Sequence, residues 1–591
     1  LNRKKNLHPQ KSKGRMNMMT NISKLANRKI LIIAMAAMTL LSSELKASEQ
    51  TNPAAQDGTI DSQKPVQGQY FAKKEYSPAP LPKFEDTKDM LPSPIFEENP
   101  VWIKMYWKSW ELAFRNYYEP AAGSGYVSQF IDAAFNESIF QWDTCFMTMF
   151  CNYAHPLVPG IGSLDNFYCK QYEDGEIPRE IIRATGVCYP AWFNADKKPF
   201  YSTGGWNTGK SQVPVEYRGR KPPEQPPHLT LDSLNHPIFS WAEMEHLKIT
   251  GDKKRIALVY EPLVHYQKAL NTYIRQGNGL YMTDWASMDN SQRNPFLDHG
   301  GCGIDISSEM VMFDRDLAAM AEMLGKKDEA VQFRKEADET AALINKLMWD
   351  PDKKFYFDLT LEGNRAPVKS VAGFWPLIAG VCAKDQVDAL VEQLKNPKTF
   401  ARLHRVPTAA ADEPGYDPMG GYWRGAVWAP TDTMVIRGLE RYGHAELARE
   451  IAINHLTNMG QVFEKTGTVW ENYAPDKVEP GVLDGRQVAR DFVGWSGIGP
   501  ILYLLEYGIG LKPDAMQNVL CWEFHSTKNV GCERYRFNGH VADLLATPEG
   551  NRWHIHILSD GDFTLKAVAA GQEKKFEVKK GENDFEIGIA P

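Results

Sequence analysis

From residue 100 to 511 the apolar positions recur at three- and four-residue steps. Ile256, Val259, Tyr260, Leu263, Tyr266, Leu270 and Tyr273 follow this spacing, which places them on one face of an α-helix. Leu447, Ile451, His455, Met459 and Phe463 repeat it, just after a helix that stops near Gly443. The same period runs through 308–325, 327–348, 383–395 and 497–507, and long loops carrying Trp, Asp, Gly and Pro separate many of these stretches. A solenoid would show a fixed period and short loops. Uneven spacing with long loops predicts instead a mainly α fold, an (α/α)6 barrel: a closed ring of helical hairpins whose loops meet at one mouth. After 512 the period drops to two. Trp553-His554-Ile555-His556-Ile557, Phe563-Thr564-Leu565, Lys575-Phe576-Glu577-Val578 and Phe585-Glu586-Ile587 alternate, with Asp560-Gly561-Asp562 and Lys580-Gly581-Glu582-Asn583 as turns. This predicts a small antiparallel β domain, a sandwich that packs on the barrel and covers apolar surface.

The N-terminal stretch has a different pattern. Asn27-Arg28-Lys29 precedes an apolar run from Ile30 to Leu41, and Leu45-Lys46-Ala47-Ser48 supplies small residues. That order is the pattern of a secretory signal peptide. The run falls short of the ~20 residues that span a bilayer, and no Cys near its end marks a lipoprotein anchor. The expected layout is a leader with signal peptide over 1–48, a mobile lead-in over 49–99, the catalytic barrel over 100–511 and the β domain over 512–591. A chain so built is exported, to the periplasm or beyond, with no membrane span once the signal is removed.

Composition narrows the function classes. Hydrophobic residues at 43% and charged residues at 24% are ordinary for a globular chain. A net charge of −7 argues against a nucleic-acid partner, which selects a basic face. The eight cysteines form no CxxC pair and the histidines no HExxH, so no metal site is expected. No motif calls for an organic cofactor, and none supports a structural Ca²⁺. The 16 Trp, 24 Tyr and 27 Phe change the picture more, because many cluster in loops beside Asp, Glu, Asn and Gly. Such clusters suit the walls of a polar pocket.

Four loop segments combine carboxylates with aromatics and amides. They are Gln141-Trp142-Asp143-Thr144-Cys145-Phe146, the stretch Thr283-Asp284-Trp285-Ala286-Ser287-Met288-Asp289-Asn290-Ser291-Gln292-Arg293, Gly421-Tyr422-Trp423-Arg424-Gly425-Ala426-Val427-Trp428, and Trp470-Glu471-Asn472-Tyr473. Taken singly, an Asp such as Asp143 is more often a helix cap than a catalyst. Four such segments in one helical domain fit glycoside hydrolysis, which needs one carboxylic acid at the leaving oxygen and a second carboxylate at water or at the sugar.

Between 100 and 511 the chain resembles glycoside hydrolase family 63, which contains processing α-glucosidases and mannosylglycerate hydrolases and has trehalases as distant relatives. The Met-Asp-Asn-Ser-x-Arg and Gly-Tyr-Trp-Arg-Gly-x-Val-Trp segments are the most specific parts of the likeness. Gln171 to Arg179 and Gly494-Trp495-Ser496-Gly497 add to it. The resemblance implies Asp289 as general acid and Glu471 as general base, the latter oriented by Asn472 and Tyr473. It implies that Trp142, Asp143, Trp423, Arg424 and Trp495 line the sugar pocket, and Trp285, Asn290, Arg293 and Tyr422 complete the expected substrate contacts. Gln292 stands where relatives often have Pro, and Trp285-Ala286-Ser287-Met288 departs from their acidic-Ser-Gly pattern; Asp284 is the reserve acid. The expected reaction is inverting, with carboxyl groups roughly 6.5–9.5 Å apart and the acid's pKa raised. The expected substrate is an oligosaccharide or glycoside, an α-glucoside before an α-mannoside. The competing readings are a trehalase-like or lyase activity on the same fold, a glycan-binding protein without turnover, and a helical scaffold.

Overall fold

The computed structural model describes residues 70–71, 74–173, 175–186, 236–283, 288–297 and 301–588. The signal-peptide expectation, Cys188, Asp284 and Trp285 all lie outside them. The helical part consists of α1 (Pro100–Phe114), α2 (Gln141–Cys151), α3 (Phe239–Thr250), α4 (Lys253–Tyr273), α5 (Ile304–Met323), α6 (Lys327–Leu347), α7 (Trp375–Ala379), α8 (Lys384–Lys395), α9 (Ala429–Arg441), α10 (Ala445–Thr466) and the π-wound α11 (Gly499–Ile509). The helices predicted from periodicity are all present. Several ends follow local rules: Asn99 and Asp252 cap α1 and α4 by accepting backbone N–H groups, and Gly251 and Gly467 close α3 and α10 in the left-handed conformation.

Burial sorts these helices into two layers. Every residue of α2 and α11 is buried, as is the N-terminal half of α5 and most of α9, whereas α6 and α8 bury a single stripe. A helix apolar all round belongs inside, and one with a stripe belongs at the surface. The inner helices adjoin one another in a closed circuit: α2 with α3, α3 with α5, α5 with α7, α7 with α9, and α9 with the turn Trp495–Ile498, which leads into α11 and packs on α2. The outer helices pack on this ring, α4 and α6 on α5 and α10 on α9. This is the (α/α)6 barrel.

One buried cation ties three inner helices together. Arg437 of α9 donates to both carboxylate oxygens of Glu245 on α3 (3.1 and 3.0 Å) and of Glu506 on α11 (2.9 and 2.5 Å), and to the Tyr507 hydroxyl at 2.9 Å. Burial alone would raise Glu506, but Arg437 and Lys248 hold its carboxyl well below the ordinary range.

The β part is a two-sheet sandwich, with two departures from expectation. One sheet has the order β1 (Ser93–Phe96), β4 (Val530–Phe537), β5 (His540–Glu549), β6 (Arg552–Ser559), β9 (Gly581–Gly588). The other runs β2 (Leu511–Asp514), β3 (Val519–Phe524), β7 (Phe563–Ala569), β8 (Gln572–Val578). The sheets face each other through aromatic pairs, Phe524 on Trp553 at 4.9 Å and Phe537 on Phe563 at 5.0 Å. The first correction is that β3 and β7 pair in parallel, while the other pairs of the two sheets are antiparallel. The second concerns the lead-in, whose last part is built into the fold. Ser93–Phe96 pairs with Val530–Glu533 as an edge strand, and Lys74 forms an ion pair with buried Asp165 at 2.7 Å. His554 and His556 share the solvent face of β6, opposite Glu586 and Asp584, as the alternation predicts.

None of the described cysteines is paired, and no described helix is long and apolar enough to cross a membrane. Replacing Arg437 with Met leaves the Glu245 and Glu506 carboxylates buried without their cation. The expected cost is about 3–5 kcal/mol, read as a lowered urea midpoint at neutral pH. An unchanged midpoint would show that the three-helix tie carries no stability.

Candidate active site

The segments that enter the inner helices converge at one end of the ring. His236, ahead of α3, stacks near Trp375 at the start of α7 and lies by Trp142 in the first turn of α2, each with ring centroids 5.9 Å apart. Trp142 in turn meets Trp423 at 6.2 Å and Trp495 at 6.0 Å. Trp423 lies flat on Trp428 at 4.2 Å, and Trp428 meets Trp495 at 5.6 Å. Phe492 and the exposed Phe135 extend this wall beyond Trp495, at 4.6 and 6.3 Å. Trp142 is buried and its indole N–H has no hydrogen-bond partner.

Three of the predicted carboxylates share this space. Asp143, Asp289 and Glu471 are close enough to act on one another: Asp289 and Glu471 both raise Asp143, and Glu471 raises Asp289. Burial is the largest cause for each. Burial pushes Asp289 up to about 7, Arg179 opposes it, and Glu471 adds to it. Asp143 is raised well above the ordinary range by burial, then Asp132, against Arg179. Burial raises Glu471 too, but its carboxylate has two donors that favour the charged form: the Ala489 N–H on Oε2 at 3.1 Å and the Tyr422 hydroxyl on Oε1 at 2.9 Å.

The loop that carries Asp289 is held from below. Asn294 donates to the Met288 and Asp289 carbonyls at 2.8 and 3.2 Å, and the Ser291 N–H closes a turn on Met288. Asn290 reaches sideways, donating to the Gly421 carbonyl at 3.0 Å and accepting the Trp423 N–H at 2.9 Å. It therefore joins the acid-bearing loop to the aromatic loop, and both ends of its amide are occupied in doing so. Tyr422 sits at φ 65°, a left-handed conformation that costs a bulky residue about 1–2 kcal/mol. Its ring packs on Trp428 at 4.9 Å, which with the Glu471 bond opposes that strain.

Two expectations are corrected by this geometry. Arg293, expected to touch substrate, is fully buried. It is bonded to Asp305 through two nitrogens and to Asp358 at 2.9 and 2.5 Å, so its donors face the protein. Asn472 and Tyr473 do not orient the Glu471 carboxylate. Asn472 is sealed beneath Gly481, where an added Cβ would lie 1.9 Å from its Oδ1. Tyr473 pairs its backbone with Val427 and accepts the Trp470 N–H at 3.1 Å. Arg424 is partly exposed and lies 3.8 Å from Asp417. Arg179, given no role from sequence, is the cation that acts on both Asp143 and Asp289. Its signal was present in the Gln171–Arg179 segment, but nothing local marked the arginine itself.

Comparison with known proteins identifies the family. Residues 200–496 match the model of the mannosylglycerate hydrolase MGH1-like glycoside hydrolase domain. The chain belongs to that family. This glycoside hydrolase is 27% identical over 336 residues to an uncharacterized protein of Borreliella burgdorferi, a match covering 56% of this chain and 70% of the other. It is 26% identical over 212 residues to a trehalase of Oryctolagus cuniculus, a match that covers 35% of each chain. Among solved structures it is similar to the GH63 mannosylglycerate hydrolase from Thermus thermophilus in complex with Tris, with TM-score 0.50 and 18% identity. That match covers 67% of this chain and 99% of the other. At such identity the likeness is one of fold.

The raised Asp289 carboxyl has a measurable consequence. A carboxyl that holds its proton more tightly when folded contributes stability that is fully present below its unfolded value of about 4 and is lost as pH rises through its folded value of about 7. In the hydrolase Asp289→Asn removes this dependence. The variant should gain roughly 1–4 kcal/mol over wild type between pH 4 and 7, with the difference level above. Thermal melts across pH test this, and a difference that does not vary with pH would contradict it.

Proposed function

We propose that this glycoside hydrolase cleaves α-linked glucosides or mannosides with inversion, Asp289 acting as general acid and Glu471 as general base. The observation that carries the reading is the opposite treatment of two carboxylates in one pocket. Asp289 is held protonated to about 7 by burial and by Glu471, as a proton donor to a leaving oxygen must be. Glu471 has a donor on each carboxylate oxygen, which favours the ionised form that activates water. The bonds from Tyr422 and Ala489 fix the direction in which that carboxylate points.

The remaining groups supply binding. Trp142, Trp423 and Trp495 offer ring faces and edges to a pyranose, and the partnerless Trp142 N–H offers a donor to a hydroxyl. Burial favours the protonated form of Asp143, and in that form its carboxyl donates to a sugar oxygen. Arg424 at the edge holds the outer part of the substrate. The Thermus thermophilus relative is named for mannosylglycerate and the Oryctolagus cuniculus relative as a trehalase. Both are small α-linked glycosides in chemical class, which supports the choice of an α-linkage here. The Asn27–Ser48 pattern supports export of the enzyme.

Kinetics on a panel of α-linked glucosides and mannosides tests the roles. Asp289→Asn and Glu471→Gln should each lower kcat by about 10²–10⁴ with an unchanged circular dichroism spectrum. Wild-type rates in either variant would remove that residue from the mechanism. In wild type the rate should fall as pH rises through about 7, where Asp289 loses its proton. Tyr422→Phe removes a donor from ionised Glu471, so Glu471 gains its proton at higher pH and the acid limb of the profile should move upward. An acid limb unmoved in Tyr422→Phe would show that this bond does not tune the base.

A further inference from the structure

Beside the Glu471–Pro475 segment, three buried side chains from separate parts of the chain point at one spot. His404 lies in the loop before the Gly420–Gly425 turn, Asp432 in the first turn of α9 and His455 in mid α10, and the two histidines are 51 residues apart. Each is sealed from solvent, at 0%, 0% and 1% exposure. Their facing atoms, His404 Nε2, His455 Nδ1 and an Asp432 carboxylate oxygen, all lie within 4.8 Å of one another. We propose that His404, Asp432 and His455 form a structural binding site for a divalent transition-metal ion, zinc being the best match.

Valence limits what these three side chains can do alone. His455 Nδ1 faces His404 Nε2 at 3.0 Å and Asp432 Oδ2 at 2.7 Å. A ring nitrogen carries in its plane either one proton or one lone pair, so it cannot form a full hydrogen bond to both neighbours. If His455 Nδ1 gives its proton to Asp432 Oδ2, His404 Nε2 is left without a full partner, and the outer nitrogens, His404 Nδ1 and His455 Nε2, are buried without hydrogen-bond partners. Hydrogen bonds alone thus leave the inner side of the cluster short of a partner, in a place where each unmet polar group costs about 1–3 kcal/mol. A cation there accepts a lone pair from each of the three at once and leaves each imidazole its proton on the outer nitrogen. Both histidines are sealed from solvent, which suits the neutral imidazole that ligates a metal.

Ligand type and spacing both point to the same metals. Two imidazoles and one carboxylate suit zinc, with cobalt, nickel and manganese as weaker alternatives. Bonds of about 2.0–2.2 Å place tetrahedral ligand atoms about 3.3 Å apart; the His404–His455 and His455–Asp432 separations of 3.0 and 2.7 Å are shorter, so the three side chains would move apart slightly to take the ion. The surroundings hold the three in place. Asp432 Oδ1 accepts the Val406 N–H at 2.9 Å, the His404 N–H donates to the Pro475 carbonyl at 2.9 Å, and the Tyr473 ring lies 5.6 Å from His404 and 6.2 Å from His455. A metal here would stiffen the segment from Glu471 to Pro475, whose Tyr473 ring and Pro475 carbonyl contact His404. The proposal stands on this cluster and does not depend on the role given to Glu471.

The full-length protein is loaded with Zn²⁺, desalted and assayed for metal by mass spectrometry, with Co²⁺, Ni²⁺ and Mn²⁺ in parallel. About one metal ion per chain is expected, absent from Asp432→Asn and from His404→Asn. Folded wild type that retains no metal beyond an unrelated control protein overturns the proposal, as does metal retained equally by both variants. Where a variant does not fold, X-ray absorption at the metal edge of the wild type decides. Two imidazole nitrogens with a carboxylate oxygen support the site, and any other donor set overturns it.

Discussion

Three carboxyl groups share one buried space at the mouth of the helical ring, and the architecture around them follows from keeping them there. Asp143 feels both Asp289 and Glu471, Asp289 feels Glu471, and burial raises all three. They cannot all be charged at once. Arg179 opposes the rise in Asp143 and Asp289, and Tyr422 and Ala489 oppose it in Glu471. Their surroundings therefore treat them differently, although they share one chemistry. The inner helices enter from this end, so the segments ahead of α2, α5, α9 and α11 bring the groups together.

The loops hold their positions through bonds to one another. Asn290 joins the acid-bearing loop to the aromatic loop, Tyr422 joins the aromatic loop to Glu471, and the Trp495 indole donates to the Glu471 carbonyl at 2.9 Å. Below them Arg293 anchors the acid-bearing segment to Asp305 at the start of α5 and to Asp358. The strained Tyr422 fits this pattern, because a φ of 65° persists only where surrounding bonds hold it. Fold and site are thus linked: a barrel that rotated one inner helix would break bonds between loops as well as packing between helices.

Much of this was legible in the sequence, for identifiable reasons. Helical periodicity marks α4, α6 and α10 because their apolar stripes repeat every turn, and period two marks β6 and β9 for the same reason. The aromatic-carboxylate loops showed where a pocket would form. What escaped were pairings between distant residues. Ser93–Phe96 contains a proline and reads as linker, yet it is tolerated as an edge strand against β4. The parallel partnership of β3 with β7 spans an intervening run of strands that no local signal reveals. Arg293 resembles a sugar ligand until Asp305 and Asp358 are seen to occupy it. Asp289 and Glu471 stand out by their neighbours in sequence, whereas Arg179 and Phe135 matter only through neighbours in space. His404, Asp432 and His455 are likewise too far apart in sequence to form any motif.

The central claim is that two carboxylates act on opposite sides of an α-linked bond, with Glu471 directing water rather than attacking the sugar. Proton NMR of the first product formed from an α-linked glucoside or mannoside tests it most directly. The account predicts that the β-configured sugar appears first and the α form only later, by mutarotation. An initial α-configured product would contradict it and make the second carboxylate a nucleophile.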